Sequence, residues 1–253
     1  MVEKWKIKIP ELTGDEERGV YVYLPESYAF EPERRYEVLY MFDGHNVFFD
    51  SDATYGKCWG MKEYMDYTET SLIIAAVECN HSPDNGRLKE YTPFPFEAPS
   101  FGKIEARGQI TMDWMVHTFK EEIDRRYRTL PERDHTFIAG SSMGGRMSLY
   151  ALLEYSRYFS RAAALSPSLW VDLDGLSKMI KKAVIPSDTI LYMDYGEKEL
   201  ANHKDMLRAF GQVTAKLMKK GILLESRIIP GGTHCEASWE KQIPFFMNTL
   251  LYS

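Results

Sequence analysis

Hydrophobic and polar residues alternate near the start of the chain and later give way to short, continuously apolar runs. The segments WKIKI (5–9) and GVYVYLP (19–25) alternate, and the turn-rich TGDEERG joins them, which predicts a β-hairpin. The segment YEVLYMF (36–42) predicts a strand that ends at Asp43. The run SLIIAAVE (71–78) is typical of a strand covered on both faces of a sheet.

From residue 36 onward, predicted strands alternate with segments of helical periodicity. Further strands are predicted at HTFIAG (135–140), RAAALSP (161–167), TILYMDYG (189–196) and ESRIIPGG (225–232). Helices are predicted at 112–127 with Thr111 as N-cap, at 143–155, at 202–221, and at 238–252 with a kink or a late start at Pro244. This alternation predicts an α/β fold with a mostly parallel sheet and helices on both faces.

The chain shows no internal repeat, low-complexity tract or break in composition, so we expect one domain spanning residues 1–253. The carboxyl ends of parallel strands share one edge of the sheet, where sites in such folds lie. The longest irregular stretch covers roughly residues 79–110. Loops of this length in compact domains are usually functional or mobile.

Composition narrows the classes of partner and cofactor. The net charge is −6 and the acidic and basic residues are mixed along the chain, so we expect no nucleic-acid partner. No signal peptide or membrane-spanning run is visible, which predicts a cytoplasmic protein without a membrane partner. The three cysteines (Cys58, Cys79 and Cys235) have neither disulfide nor zinc-site spacing, so we expect free thiols and no metal.

The stretch FIAGSSMGGRMSLY contains GSSMG, which fits G-x-S-x-G with Ser142 at its centre. A predicted strand precedes the motif and a predicted helix follows it, as in a nucleophile elbow. The alternatives are a glycine-rich turn without chemistry and a phosphate-binding loop. The phosphate-loop pattern is absent because no lysine follows the glycines. We therefore predict that Ser142 is a nucleophile.

A serine nucleophile needs a base, and in this topology the base follows the last strand. His234 lies there, in PGGTHCEASW, and is our candidate; the alternative is a capping or surface histidine. The base in turn needs a carboxylate, which chain order places between TILYMDYG and His234. We favour Glu199, with Asp194 second and Glu197 third, and each could instead be a structural or solvated charge.

An oxyanion hole needs two N–H donors aimed at the oxygen of the tetrahedral intermediate. The backbone N–H of Met143, directly after the nucleophile, is one predicted donor. The loop after YEVLYMF reads Asp43-Gly44-His45-Asn46, and the backbone N–H of His45 is the second predicted donor.

Several segments together resemble a known family. The run LYMFDGHNVF, followed in order by RLKEYTP, GSSMGG, SPSLW, YGEKE and PGGTHCEASW, resembles the "putative esterase" family of α/β-hydrolases. That family includes esterase D-like enzymes, feruloyl and acetylxylan esterases, siderophore esterases and mycolyltransferases. The resemblance covers roughly residues 20–250 and implies an α/β-hydrolase fold of about eight strands without a large lid domain.

The resemblance matches the family's nucleophile to Ser142, its base to His234 and its acid to Glu199, where an aspartate is more usual. It matches the oxyanion donors to the N–H groups of His45 and Met143. Further positions that could contact substrate are Arg87, Glu90, Tyr91 and Trp170. For the first two, a structural reading is also open, in which the arginine and the glutamate pair to hold the long loop. The tryptophan could instead belong to the core.

The resemblance implies a serine carboxylesterase that cleaves short-chain acyl or aromatic esters, of acetyl or feruloyl type, through an acyl-enzyme. No cofactor is expected. The expected partner is a small-molecule or oligosaccharide-linked ester, and a homo-oligomer is compatible with the sequence. Three alternatives stay open: an acyltransferase, a siderophore-lactone esterase with the same catalytic residues and a basic pocket, and a catalytically idle binding module.

Overall fold

The computed structural model describes residues 1–202 and 204–252, and an eight-stranded sheet forms their centre. His203, which falls within a predicted helix, lies outside this range. The strands are β1 (Val2–Lys8), β2 (Glu17–Tyr23), β3 (Glu37–Met41), β4 (Leu72–Val77), β5 (Phe96–Ala98), β6 (Gly102–Ile104), β7 (Thr136–Ser141), β8 (Arg161–Leu165), β9 (Ile190–Gly196) and β10 (Leu223–Ile229). The strands β5 and β6 form a separate small hairpin.

Helices of four to fifteen residues surround the sheet. They are α1 (Pro10–Thr13), α2 (Ser27–Phe30), α3 (Met61–Thr68), α4 (Gly86–Glu90), α5 (Gly108–Trp114), α6 (Lys120–Arg126), α7 (Met143–Glu154), α8 (Leu173–Lys182), α9 (Glu197–Asn202), α10 (Lys204–Met218), α11 (Glu236–Glu240) and α12 (Ile243–Tyr252). A wide helical turn at Met115–Phe119 joins α5 to α6, and single 3₁₀ turns occupy Gly44–Asn46 and Arg133–His135.

The strand order in the large sheet is β1-β2-β4-β3-β7-β8-β9-β10. The strand β2 pairs antiparallel with both β1 and β4, and the remaining neighbours pair in parallel. The predicted hairpin and the mostly parallel eight-stranded α/β sheet are therefore confirmed. Only the ten-residue α8 lies between β8 and β9, so no large lid domain covers the described chain there.

The sheet separates two hydrophobic cores. Successive side chains of a strand point to opposite faces. In β3, Val38 and Tyr40 pack into one core, while Leu39 and Met41 pack into the other. Both faces are thus covered, which explains why β3, β4 and β7 read as continuous apolar runs.

Several predicted boundaries are wrong. The first long helix was predicted over residues 112–127 with Thr111 as N-cap, but it begins at Gly108, and the hydroxyl of Thr111 donates to the backbone carbonyl of Glu90. The predicted C-terminal helix is two helices, α11 and α12, with Pro244 in the first turn of α12, where a missing N–H costs little. The long irregular stretch contains α4 and the β5–β6 hairpin, which sequence periodicity did not reveal because both elements are very short.

The carboxyl ends of β3, β7, β8 and β9 point to one edge of the sheet because these strands are parallel neighbours. The loops that leave these ends bring the candidate residues together there. In the described residues, we find no helix with the length and apolar character that a membrane crossing requires.

Candidate active site

Ser142 occupies a tight turn between β7 and α7. Its backbone adopts φ 56° and ψ −120°, a conformation that costs a non-glycine residue free energy and is typical of functional sites. Its N–H donates to the carbonyl of Leu165 at 2.9 Å, which anchors the turn to the end of β8. A Cβ at Gly140 would lie 2.7 Å from the backbone of Gly144, so the turn requires glycine there. A strand, this tight turn and a helix thus follow one another at the GSSMG motif.

His234 and Glu199 are hydrogen bonded. The Nδ1 atom of His234 lies 2.6 Å from Oε2 of Glu199. The other carboxylate oxygen, Oε1, accepts from the hydroxyl of Ser166 at 2.7 Å and from the N–H of Gly196 at 3.0 Å. Burial would raise the pKa of Glu199, but the hydrogen bonds from His234 and Ser166 outweigh it and hold the pKa below its usual value. The lowered pKa favours the ionised form of Glu199 beside the imidazole of His234.

The two other acid candidates have different partners. Asp194 is buried in β9, where it accepts from the N–H of Ser166 and the hydroxyl of Tyr192. Burial raises the pKa of Asp194 to about 7, against the effect of those hydrogen bonds. Glu197 accepts from the N–H of Gly231 at 2.9 Å. Of the three candidates, Glu199 is the carboxylate that contacts His234.

Ser142 and His234 line the same cleft, which has a volume of about 720 Å³. The side chain of His234 is 48% exposed. The hydroxyl of Ser142 lies 3.5 Å from the hydroxyl of Ser168, and no hydrogen bond joins Ser142 to His234 among the residues described. Catalytic hydrogen bonds are often long before substrate binds and tighten in the complex.

The predicted oxyanion loop is held by a charged pair. Asp43 adopts a left-handed conformation with φ 56°, and its carboxylate accepts two hydrogen bonds of 2.7 Å from the guanidinium of Arg87. The N–H of Asp43 donates to the hydroxyl oxygen of Tyr91 at 3.2 Å. In the described structure, the N–H groups of His45 and Met143 have no backbone hydrogen-bond partner, so both are free to donate.

Arg87 and Glu90 do not pair with each other, contrary to the structural alternative considered from the sequence. Arg87 binds Asp43, while both oxygens of Glu90 accept from Nη1 of Arg18, at 2.6 and 2.7 Å. Glu90 and Tyr91 are buried behind the oxyanion loop, and Arg87 lines the cleft. Each side chain instead has an oppositely charged partner of its own, Asp43 in the loop after β3 for Arg87 and Arg18 in β2 for Glu90.

A second, mostly apolar cavity of about 650 Å³ adjoins the first at His234. Trp170 lines it with 45% of its surface exposed, so this side chain is not part of the core. Its ring meets the ring of Phe96 edge-on, with 5.6 Å between centroids. The β5–β6 hairpin therefore supports one wall of this cavity.

Sequence reasoning missed two residues that hold the acid and the base. Trp239 Nε1 donates to the hydroxyl of Ser166, which in turn donates to Glu199. The ring of Trp239 also meets the ring of His234 edge-on at 5.1 Å. Ser166 belongs to the quoted motif SPSLW, and that was the available signal. Trp239 is the last residue of the quoted motif PGGTHCEASW.

The geometry can be compared with known proteins. The chain is 24% identical over 242 residues to "Uncharacterized protein YbbA" of Bacillus subtilis strain 168, covering 92% of this chain and 91% of the relative. An IroE-like serine hydrolase from Shewanella oneidensis has a TM-score of 0.76 at 22% identity, over 99% of this chain and 79% of that one. A ferulic acid esterase has a TM-score of 0.73 at 18% identity, over 99% and 97%.

These structural likenesses establish the fold. The family assignment comes from a family model described as "Putative esterase", which matches residues 12–245 and so nearly the whole chain. The motifs that carried the resemblance lie inside that match. The chain belongs to the "Putative esterase" family and is an ester hydrolase.

Proposed function

We propose that the chain is a serine carboxylesterase in which Ser142 is the nucleophile, His234 the general base and Glu199 the orienting acid. The observation that carries the proposal is the 2.6 Å hydrogen bond between His234 and Glu199 beside a cleft that Ser142 also lines. With Nδ1–H donating to the carboxylate, Nε2 keeps a lone pair for the serine proton.

The reaction has two halves. Ser142 Oγ attacks the ester carbonyl while His234 takes its proton, and the tetrahedral intermediate collapses as His234 returns the proton to the departing alcohol. Water, activated by the same imidazole, then hydrolyses the acyl-serine. Glu199 stays ionised throughout and stabilises the imidazolium, and its lowered pKa suits that role.

The developing oxyanion would be bound by the N–H groups of His45 and Met143. The N–H of Met143 is at the N-terminus of α7, where the helix dipole favours negative charge. The Arg87–Asp43 pair fixes the loop that carries His45. In this proposal Arg87 and Tyr91 hold the oxyanion loop, and of the two only Arg87 also lines the cleft.

The two cavities favour an ester with one apolar part and one polar part. The apolar cavity is lined by Trp170, Tyr195 and Met206, and its volume of about 650 Å³ accommodates an aromatic acyl group. The other cleft carries hydrogen-bonding side chains, including Asn46 and Asn80, that suit a hydroxyl-rich alcohol. We therefore favour aromatic or short-chain acyl esters of sugars as substrates.

A siderophore lactone is less well supported by the charges. The described residues that line the two cavities include two lysine or arginine cations, Lys198 and Arg87, and four carboxylates: Asp43, Glu236, Glu199 and Asp205. Arg87 is already bound to Asp43. A polyanionic catecholate would need a basic pocket, and this lining does not provide one.

The nucleophile can be tested by covalent labelling and by kinetics. A fluorophosphonate probe should label the wild-type chain at Ser142, and Ser142→Ala should abolish labelling. Ser142→Ala and His234→Ala should each lower kcat for p-nitrophenyl acetate by several orders of magnitude, about 10⁴–10⁶-fold. Ser156→Ala is a matched control, because this serine lies outside both cavities.

Labelling that persists in Ser142→Ala would contradict the assignment, and a wild type that neither labels nor hydrolyses any ester would favour a binding module. Methyl ferulate, acetylated xylo-oligosaccharides and a tricatecholate lactone extend the substrate panel. Adding an alcohol acceptor and analysing the products distinguishes hydrolysis from acyl transfer, because a transferase forms a new ester in water.

A further inference from the structure

Three side chains of types that can ligate a metal meet in the polar cleft, and none of them belongs to Ser142, His234 or Glu199. His45, Cys79 and His81 each offer one ligand atom, and these atoms lie within 4.8 Å of one another. His45 and Cys79 are buried, whereas His81 is exposed. The two imidazole rings are 4.7 Å apart between centroids. All three residues line the cleft, so an ion can reach them from solvent.

The ring of His45 has an unused nitrogen. Its Nε2 lies 3.0 Å from Oγ1 of Thr54, whereas Nδ1 is buried without a hydrogen-bond partner and the residue is only 6% exposed. When Nε2 donates its proton to Thr54, Nδ1 holds a lone pair, which is the form of imidazole that binds a metal. A buried nitrogen without a partner costs free energy, and a bound cation would remove that cost.

We propose that His45, Cys79 and His81 bind one thiophilic transition-metal ion, with Zn²⁺ as the ion whose ligand preferences match best. Two imidazoles and a thiolate are ligands that Zn²⁺ accepts, and a water molecule would complete a tetrahedral site. Ligand atoms around tetrahedral Zn²⁺ are separated by roughly 3.3–3.6 Å, so ligand atoms that lie up to 4.8 Å apart must approach each other by about 1.2–1.5 Å. Of the three ligands, the exposed His81 has the most room to move.

Binding of the metal ion releases one proton. The thiol of Cys79 must lose its proton to solvent as the sulfur–metal bond forms, while both imidazoles bind in their neutral form. The sequence pattern did not reveal this site. Cys79 and His81 are two residues apart just after β4, but His45 lies far from them in the sequence, in the oxyanion loop, and this spacing matches no zinc motif.

Occupancy lowers the esterase activity, and this consequence rests on the proposed function. The backbone N–H of His45 is a proposed oxyanion donor. An ion bound to the ring of His45 would link this residue to Cys79 and His81 and restrict the position of that N–H. It would also place a cation in the cleft that Ser142 lines and obstruct the substrate. The site is therefore inhibitory and not catalytic.

Cobalt(II) titration of the metal-free full chain tests the site independently of activity. The wild type should bind one Co²⁺, with a thiolate-to-cobalt charge-transfer band and the intense visible bands of four-coordinate cobalt, and Zn²⁺ should displace it. Cys79→Ser should abolish the thiolate band and weaken Zn²⁺ binding by at least about 100-fold. His81→Ala should weaken it by about 10–100-fold, and because His81 is exposed this variant should fold normally.

Cys235→Ser is the matched control, since this cysteine also lines the cleft but is not in the cluster. It should keep the thiolate band and the stoichiometry of one. A wild type without the band, a band that persists in Cys79→Ser, or a band lost in Cys235→Ser would each overturn the site.

The inhibitory effect needs a second measurement. Zn²⁺ should inhibit hydrolysis of p-nitrophenyl acetate by the wild type, a chelator should reverse it, and half-inhibition of His81→Ala should need at least about 10-fold more Zn²⁺. Equal inhibition of both proteins would overturn this effect. If the wild type hydrolyses no ester, the proposed function fails, while the cobalt spectra still decide whether the metal site exists.

Discussion

One carboxylate oxygen of Glu199 accepts a hydrogen bond from His234. The other oxygen accepts hydrogen bonds from Ser166 and Gly196. This arrangement leaves the carboxylate little freedom to rotate. Both carboxylate oxygens are therefore held in place, although the side chain of glutamate is longer than that of aspartate.

Glu199→Gln should lower kcat by about 10³–10⁴-fold with little change in KM, because the amide can donate to Nδ1 and stabilise the wrong tautomer of His234. Steady-state kinetics on p-nitrophenyl acetate measure both constants. Glu197→Gln is the matched control, since Glu197 contacts Gly231 and not His234, and it should stay within about 3-fold of wild type. A larger loss of kcat in Asp194→Asn than in Glu199→Gln would identify Asp194 as the acid.

Asp194 gives the folded protein a pH-dependent stability. Its pKa is raised from 3.8 to about 7 by burial, so the folded state binds a proton that the unfolded state has lost between those values. The contribution of Asp194 to the free energy of unfolding is largest below about pH 4. It decreases as the pH rises from about 4 to about 7 and is constant above that range. Asp194→Asn, which is always neutral, should gain stability relative to wild type over that range, by a few kcal/mol in total.

Urea unfolding of the two proteins at pH 4.5, about 6 and about 8 measures this difference, with the exposed Asp15→Asn as a control that should show no such trend. A constant difference between wild type and Asp194→Asn across the pH range would show that Asp194 is ionised in the folded state.

The residues of the site were only partly predictable from the sequence. Ser142 stands in a local motif, whereas the choice of His234 also depends on the predicted order of strands, because the base is expected after the last one. The roles of Ser166 and Trp239 depend on contacts between segments 73 residues apart, which no local pattern records. The partner of Arg87 was misjudged for the same reason, because Asp43 lies 44 residues away.

At the scale of elements, the turn between β7 and α7 depends on close approach of two backbone segments. A Cβ at Gly140 would be 2.7 Å from the backbone carbon of Gly144, and backbone atoms cannot move aside as a flexible side chain can. Gly140→Ala should therefore lower the free energy of unfolding by about 2–4 kcal/mol and displace Ser142 enough to reduce kcat.

Gly211→Ala provides a contrast, since a Cβ at that position of α10 meets nothing within 4 Å. This variant should be about 0.4–1 kcal/mol more stable than wild type, because alanine is the better helix former. Denaturant unfolding compares both variants. If the two glycine variants had equal stability, the turn would not depend on the close approach of Gly140 and Gly144.

Elements that carry a continuous apolar run or a motif were predicted, and short elements without either were not. The strands β3, β4, β7, β8 and β9 follow from continuous apolar runs, and α7 follows from the elbow motif. The elements α4, β5 and β6 span only three to five residues, too few for a periodicity to emerge. The β5–β6 hairpin nevertheless supports Trp170. One wall of the apolar cavity is therefore formed with elements that the sequence did not predict.

At the scale of the whole molecule, the two cavities on either side of His234 should determine which esters are accepted. Trp170→Ala should raise KM for methyl ferulate by about 10-fold or more, because an aromatic acyl group would lose its stacking surface. The smaller acetyl group of p-nitrophenyl acetate should be affected much less. Tyr55→Ala, in the polar cleft, should leave KM for methyl ferulate nearly unchanged. The reverse pattern would place the acyl group in the polar cleft.

The central pairing of β3 with β7 also has a consequence for how the chain folds. Val38 pairs with Thr136, so nearly one hundred residues must be synthesised between the two partners. During synthesis, β1 to β4 can associate early and leave β3 as an open apolar edge of the nascent sheet. The nucleophile turn forms only when β7 closes that edge, so folding should be slow and the newly made chain should be prone to aggregate until that strand arrives.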